Sequence, residues 1–171
     1  MDIILTPDQA KFLVNTAYGK YCFEGPITKR VLAAIPESGR NYRPDANART
    51  AIELANHIVT SDKWFLQSLL DGAFSWGGEE KIPEGATFAS LAEDYEKSTK
   101  ELFEKVKALP AEKLTQQVSF FGFLNNSAAT YLGLASDHLI HHRGQLSAYV
   151  RAAGGKVPNI YGGSFDEPMQ G

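Results

Sequence analysis

The four histidines of this 171-residue chain are unevenly spread: His138, His141 and His142 sit together near the end, and His57 stands alone. His138 and His142 are four apart, so on a helix one lies a turn above the other on a single face. That face also carries Tyr131, Leu134, Ala135, Gln145, Leu146 and Tyr149, and is expected to turn inward. Two imidazoles on a buried face bring ring nitrogens that must find partners. Backbone or water can satisfy them, but an aligned pair can also take two adjacent positions around a transition metal. His57, inside a second inward stripe, supplies a third nitrogen. Three histidines with one or more positions left open form the pattern of a catalytic rather than a structural zinc site. Such a site can activate water or a thiol, or polarise a carbonyl. Imidazole suits zinc, nickel, copper and iron alike, so ligand type does not choose the metal.

Other residues of the same stretch have less defined roles. His141 lies about 100° round the helix from His142, on a flank with Asp137 and Gln145. It is read as exposed or as a proton shuttle rather than as a ligand. Asp137 and Gln145 are candidates to orient ligands or substrate, and Arg143 to hold a carboxylate within or across the fold. Glu53, one turn before His57, either braces that imidazole from behind or is a solvated carboxylate. Rival chemistries lack their signatures: the chain has no paired Glu-x-x-His, no His-Glu-x-x-His, no Cys-x-x-Cys-His and no phosphate-cradling glycine loop. Cys22 reads as a small core residue.

The elements that must position these residues are helices. Thr6-Pro7-Asp8-Gln9 is a compact start with a capping box, and the first helix is expected to bury Phe12, Leu13, Thr16 and a partner near Lys20 or Tyr21. Gly25-Pro26 should stop it, with a shorter segment following over Ile27–Ile35. The second helix spans about Ala48–Leu70, its inward stripe being Leu54, His57, Ser61, Trp64, Phe65 and Ser68. A glycine-rich connection, Gly72–Gly85, carries Phe74 and Trp76, which form a lid or an oligomer contact or pack back on the core. The third helix starts after Thr87 and reaches Leu109-Pro110, with a densely charged outer face over an apolar stripe of Leu91, Tyr95, Leu102 and Val106. A long crossing, Ala111–Asn126, is briefly extended around Gln117–Phe123. The fourth helix covers about Ser127–Ala153 and ends at Gly154-Gly155. The remaining tail should fold back over the bundle. The sum is an all-α chain, one domain over residues 1–171, a four-helix bundle with a long crossover connection.

A net charge of −3 leaves no basic footprint, which argues against nucleic acid or an anionic membrane as partner. One cysteine permits no internal disulfide and fits a reducing compartment. The first residues lack a signal-peptide pattern, and no apolar run approaches a membrane span. A cytoplasmic protein is expected.

His57, together with Asp137-His138-Leu139-Ile140-His141-His142-Arg143-Gly144-Gln145-Leu146, resembles the DinB/YfiT-like superfamily. The ending Tyr149 to Pro158 with Tyr161-Gly162, and Arg49 to Phe65 with Ala55-Asn56-His57-Ile58, are similar in character. The resemblance covers essentially the whole chain. It implies a four-helix bundle with a divalent metal on His57, His138 and His142, often as a homodimer. The metal would be zinc or nickel, with iron or manganese as alternatives. It also implies a metal-dependent hydrolase, or a transferase or isomerase using a low-molecular-weight thiol, acting on a small molecule. The competing reading is a non-catalytic metal-binding stress-response or interaction protein, in which Tyr161 or Asp137 would block the open position.

Overall fold

In a computed structural model of the chain, residues 2–76 and 81–169 are described; the centre of the glycine-rich connection, 77–80, lies outside them. The first helix, α1 (Pro7–Ala33), starts as its residues dictate. The Thr6 hydroxyl accepts from the Gln9 amide at 3.3 Å, and the Gln9 side chain accepts from the Thr6 amide at 2.9 Å.

Gly25-Pro26 does not end this helix, contrary to the expectation above; α1 continues to Ala33 with Pro26 inside it. An interior proline costs a helix about 3 kcal/mol. Here Pro26 faces solvent, while Ile27, Thr28, Val31 and Leu32 beyond it are buried, and their burial outweighs that cost. The unbroken helix also presents a different inward face. Ala10, Val14, Ala17, Tyr21, Glu24, Thr28 and Val31 point to the core at alternating four- and three-residue steps, whereas Phe12 and Thr16 are exposed and Leu13 is half-buried. Cys22 falls on the outer side and is exposed, not a core residue.

Helix α2 (Ala51–Asp71) begins three residues later than its apolar pattern indicates. Thr50 is the cap, and the Glu53 carboxylate accepts from the Thr50 amide at 2.7 Å. Glu53 is thereby committed to the helix start and does not brace His57. Gly72, in the left-handed region at φ 71°, closes α2. Helix α3 (Phe88–Ala108) is capped by Thr87 with Ser90, and its apolar stripe is buried at Leu91, Tyr95 and Val106.

The crossing contains more structure than a brief extended stretch. A five-residue helix, α4 (Ala111–Thr115), leads into a hairpin of β1 (Gln117–Phe120) and β2 (Leu124–Ser127). The strands are antiparallel, with Gln117 opposite Ser127 and Phe120 opposite Leu124. Phe121 and Gly122 both have positive φ, as a type I′ turn requires. The start of the chain is laid against this hairpin: the Ser127 amide donates to the Ile3 carbonyl at 2.8 Å, and the Ile3 amide to Asn126 at 2.7 Å. Ser127 also donates its hydroxyl to the Thr115 carbonyl, so it finishes the hairpin rather than capping a helix. Helix α5 (Tyr131–Ala152) therefore starts after a single 3₁₀ turn at Ala128–Thr130.

The four long helices pack in a ring, with α1 and α2 each between α3 and α5. No helix among the described residues is long and apolar enough to cross a membrane. Inside the ring lies a buried ion pair. Arg143 of α5 donates to the Glu24 carboxylate of α1 at 2.6 Å and to the Thr28 hydroxyl at 3.2 Å, with 2% and 6% of the Arg143 and Glu24 side chains exposed. The tail folds back to complete this group: the Tyr161 hydroxyl accepts from Arg143 at 2.5 Å and donates to the other Glu24 oxygen at 2.9 Å.

Removing one member of a buried pair strands the other charge, at about 3–5 kcal/mol. Glu24→Ala should therefore lower stability by about that amount in urea titrations. Lys63→Ala, which breaks the exposed pair with Asp94, should stay within about 1 kcal/mol.

Candidate metal centre

Helices α2 and α5 pack face to face, and their inward histidines meet. One ring nitrogen each from His57, His138 and His142 lies within 4.8 Å of the others. The rings are 4.4 to 5.1 Å apart between centroids. The Nε2 atoms of His57 and His142 are 3.2 Å apart. Two ligands on a tetrahedral metal with bonds of 2.0–2.1 Å stand about 3.3 Å apart, so this pair already has the required span.

The hydrogen bonds behind the rings favour the same use. His142 Nδ1 lies 2.8 Å from the Gln145 side-chain oxygen. That oxygen can only accept, so Nδ1 carries the proton and Nε2 turns a lone pair toward His57. Ser61, one turn after His57 on α2, places its hydroxyl 3.2 Å from His57 Nδ1. His138 Nδ1 is buried and has no hydrogen-bond partner among the described residues. An orphaned ring nitrogen beside two others, in an all-imidazole donor set, fits a divalent transition metal.

Two of the rings are held toward their neutral forms. Burial, then the neighbouring His142, His57 and His141 and the Arg49 guanidinium, press His138 down to about 4. Burial also lowers His142, against the opposing hydrogen bond to Gln145. Aromatic side chains supply part of the dry wall. Phe65 meets His138 edge-on at 5.5 Å and stacks with Phe120 at 6.3 Å, and Phe121 from the hairpin turn stacks on Trp64 and Trp76. Trp76 is exposed, and Phe74 packs half-buried against Tyr131.

The remaining candidates separate. His141 is exposed, its ring 4.8 Å from that of His142, and it lies outside the cluster. Gln145 touches a ring of the cluster. Asp137 is exposed and makes no hydrogen bond or ion pair among the described residues. Two contributors went unassigned in the sequence: Ser61, legible in principle from its four-residue spacing to His57, and Arg49, which nothing in the pattern marks. Arg49 sits just before the cap of α2, where its carbonyl accepts from the Tyr149 hydroxyl of α5 at 3.4 Å.

Comparison with known proteins bears on the fold and the family. Two proteins of Bacillus subtilis strain 168 are similar in sequence, and both are described as uncharacterised. YjoA is 28% identical over 128 residues, 75% of this chain and 82% of YjoA. YrdA is 26% identical over 149 residues, 85% of this chain and 86% of YrdA. The crystal structure of the DinB-like protein YjoA superposes with a TM-score of 0.70 at 23% identity, covering 90% of this chain and 99% of that one. A DinB-like protein of Bacillus cereus ATCC 10987 gives a TM-score of 0.70 at 24% identity, over 85% of this chain and 95% of its own. At these identities the superpositions speak for the fold. The family is shown by a model matching residues 13–170: this chain belongs to the DinB family.

Proposed function

We propose that the chain is a metal-dependent enzyme, a hydrolase or a low-molecular-weight-thiol-dependent transferase, with His57, His138 and His142 holding a divalent metal. Zinc or nickel is favoured, with iron or manganese as the other candidates. The observation that carries this reading is the convergence of three imidazole nitrogens, one of them already oriented by Gln145. When bound, the ion supplies Lewis acidity to a water, a thiol or a carbonyl oxygen.

The chain's own residues then have defined tasks. Gln145 holds the His142 tautomer, Ser61 steadies His57, and Phe65 excludes water from His138. His141, exposed beside His142, passes protons between solvent and the site. The Arg49 charge acts on both His138 and His142, which favours a small substrate with an anionic group nearby. The reading supposes a cytoplasmic homodimer. Its rival, a non-catalytic metal-binding stress-response or interaction module, needs Tyr161 or Asp137 to close the metal's remaining position. Tyr161 is engaged by Glu24 and Arg143, and Asp137 is exposed, which favours the enzyme.

Elemental analysis of untagged protein should find about one equivalent of transition metal per chain, lost in His138→Ala. Gln145→Ala should weaken metal affinity by about 10- to 100-fold in competition with a chelator. Metal-loaded protein should turn over one member of a panel of esters, amides and electrophile-plus-thiol pairs, and His138→Ala should not. Wild-type protein that takes up no metal near neutral pH would sink the proposal.

Protonation gives a further check on metal-free protein. His138 titrates at about 4 when folded, against about 6.5 in an unfolded chain. The unfolded state thus binds more protons between these values, and stability falls as pH drops through that window. Urea midpoints should decline from pH 6.5 to 4 and be flat above, with a shallower decline in His138→Ala.

A further inference from the structure

A second polar feature lies away from the histidines, in a cavity of about 180 Å³ reaching inward between α1 and α5. Its mouth is formed by Thr16, Lys20 and Gly133, and its inner wall by Leu66, Phe103 and Leu139. Among these apolar side chains sits the Asp62 carboxyl of α2, only 7% exposed.

Asp62 has no cation. Among the described residues no lysine, arginine or histidine pairs with it, and the nearby Arg143 is spent on Glu24. Its neighbour is the Tyr95 hydroxyl, fully buried, which faces it without closing a well-formed hydrogen bond to any group. The Tyr21 hydroxyl, also on the wall, is taken by Thr99 at 2.7 Å. Burial without a counter-charge pushes the Asp62 carboxyl up to about 7. A carboxyl in an apolar chamber, with only a poorly bonded phenol beside it, is costly for a core that has no use for it.

A chamber of about 150 Å³ accepts benzene when its walls are wholly apolar. This one is larger and offers an acidic group at depth. We propose that the α1–α5 cavity binds a small hydrophobic amine of about the size of benzylamine, its ammonium paired with Asp62 and its ring against Leu66, Phe103 and Leu139. The amine provides the cation that the fold withholds. Gly133 keeps the entrance clear: no atom lies within 4 Å of where its Cβ would sit. A larger residue there is accommodated without disturbing α5 and covers the mouth.

The test is titration of the full chain with benzylamine and, in parallel, with the near-isosteric benzyl alcohol, followed by calorimetry and by methyl NMR. Benzylamine should bind more tightly and shift the methyls of Leu66, Leu132 and Leu139. Asp62→Asn should weaken benzylamine by about tenfold and alter benzyl alcohol by less than about twofold, since only the charge-assisted contact is lost. Gly133→Leu should abolish binding of both probes with an unchanged melting profile. His142→Ala should leave both intact, which separates this chamber from the metal centre. Benzylamine binding no tighter than the alcohol, undiminished in Asp62→Asn, or mapping to His57 and His138 would overturn the assignment.

Discussion

The arrangement depends on the buried ion pair between Glu24 and Arg143. Arg143 follows His142 directly, so the two side chains leave α5 about 100° apart. When Arg143 is held by Glu24 and Thr28 on α1, the rotation of α5 is fixed and His142 and His138 are turned toward α2. Taking two charges out of water is expensive, and the mutual attraction repays it only when the remaining hydrogen-bonding capacity is filled. Thr28 and Tyr161 do that filling. The pair adds little net stability by this accounting. What it supplies is orientation, and the geometry of the metal centre follows from it.

The fold divides its polar interior in two. Toward α2 the buried groups are imidazoles, of which His138 and His142 are held toward the neutral form by desolvation and by their neighbours. Toward α1 they are Glu24, Thr28 and Arg143, with Asp62 and Tyr95 nearby on α2 and α3. Two separate apolar clusters flank this polar layer, one around Val31, Ile58 and Val150, the other around Val14, Phe103 and Leu132.

That polar layer explains what was and was not legible in the sequence. The histidine spacing was readable because helical periodicity alone puts His138 over His142, and because His57 lies in a clean apolar stripe. The capping box at Thr6 was likewise a local signal. The inward face of α1 was not readable, since its true stripe runs through Glu24 and Thr28, which look like surface residues until Arg143 is placed beside them. Phe12 and Cys22 read as interior residues for the same reason. Pro26 looked like a stop because its cost is local, whereas the burial that offsets it comes from other helices. The hairpin escaped notice because its register is secured by Ile3, more than a hundred residues away in the chain. Glu53 was open between a brace for His57 and a solvated carboxylate; it is exposed, and its part in the capping box went unread although Thr50 is only three residues away.

Tyr161 closes a group whose oldest member is Glu24, and this separation bears on how the protein is made. During synthesis α1 leaves the ribosome with Glu24 and Thr28 exposed on what will become its inner face, and their partner on α5 is not yet translated. Until then that face of α1 is matched only by its earlier partners, among them Phe103 and Thr99 of α3 against Tyr21. The long-range contacts that satisfy its Glu24 and Thr28 arrive together with His138 and His142, near the end of translation. Closure of the polar layer and assembly of the histidine cluster thus both wait on α5, and a ribosome stalled before Arg143 carries a chain that has completed neither.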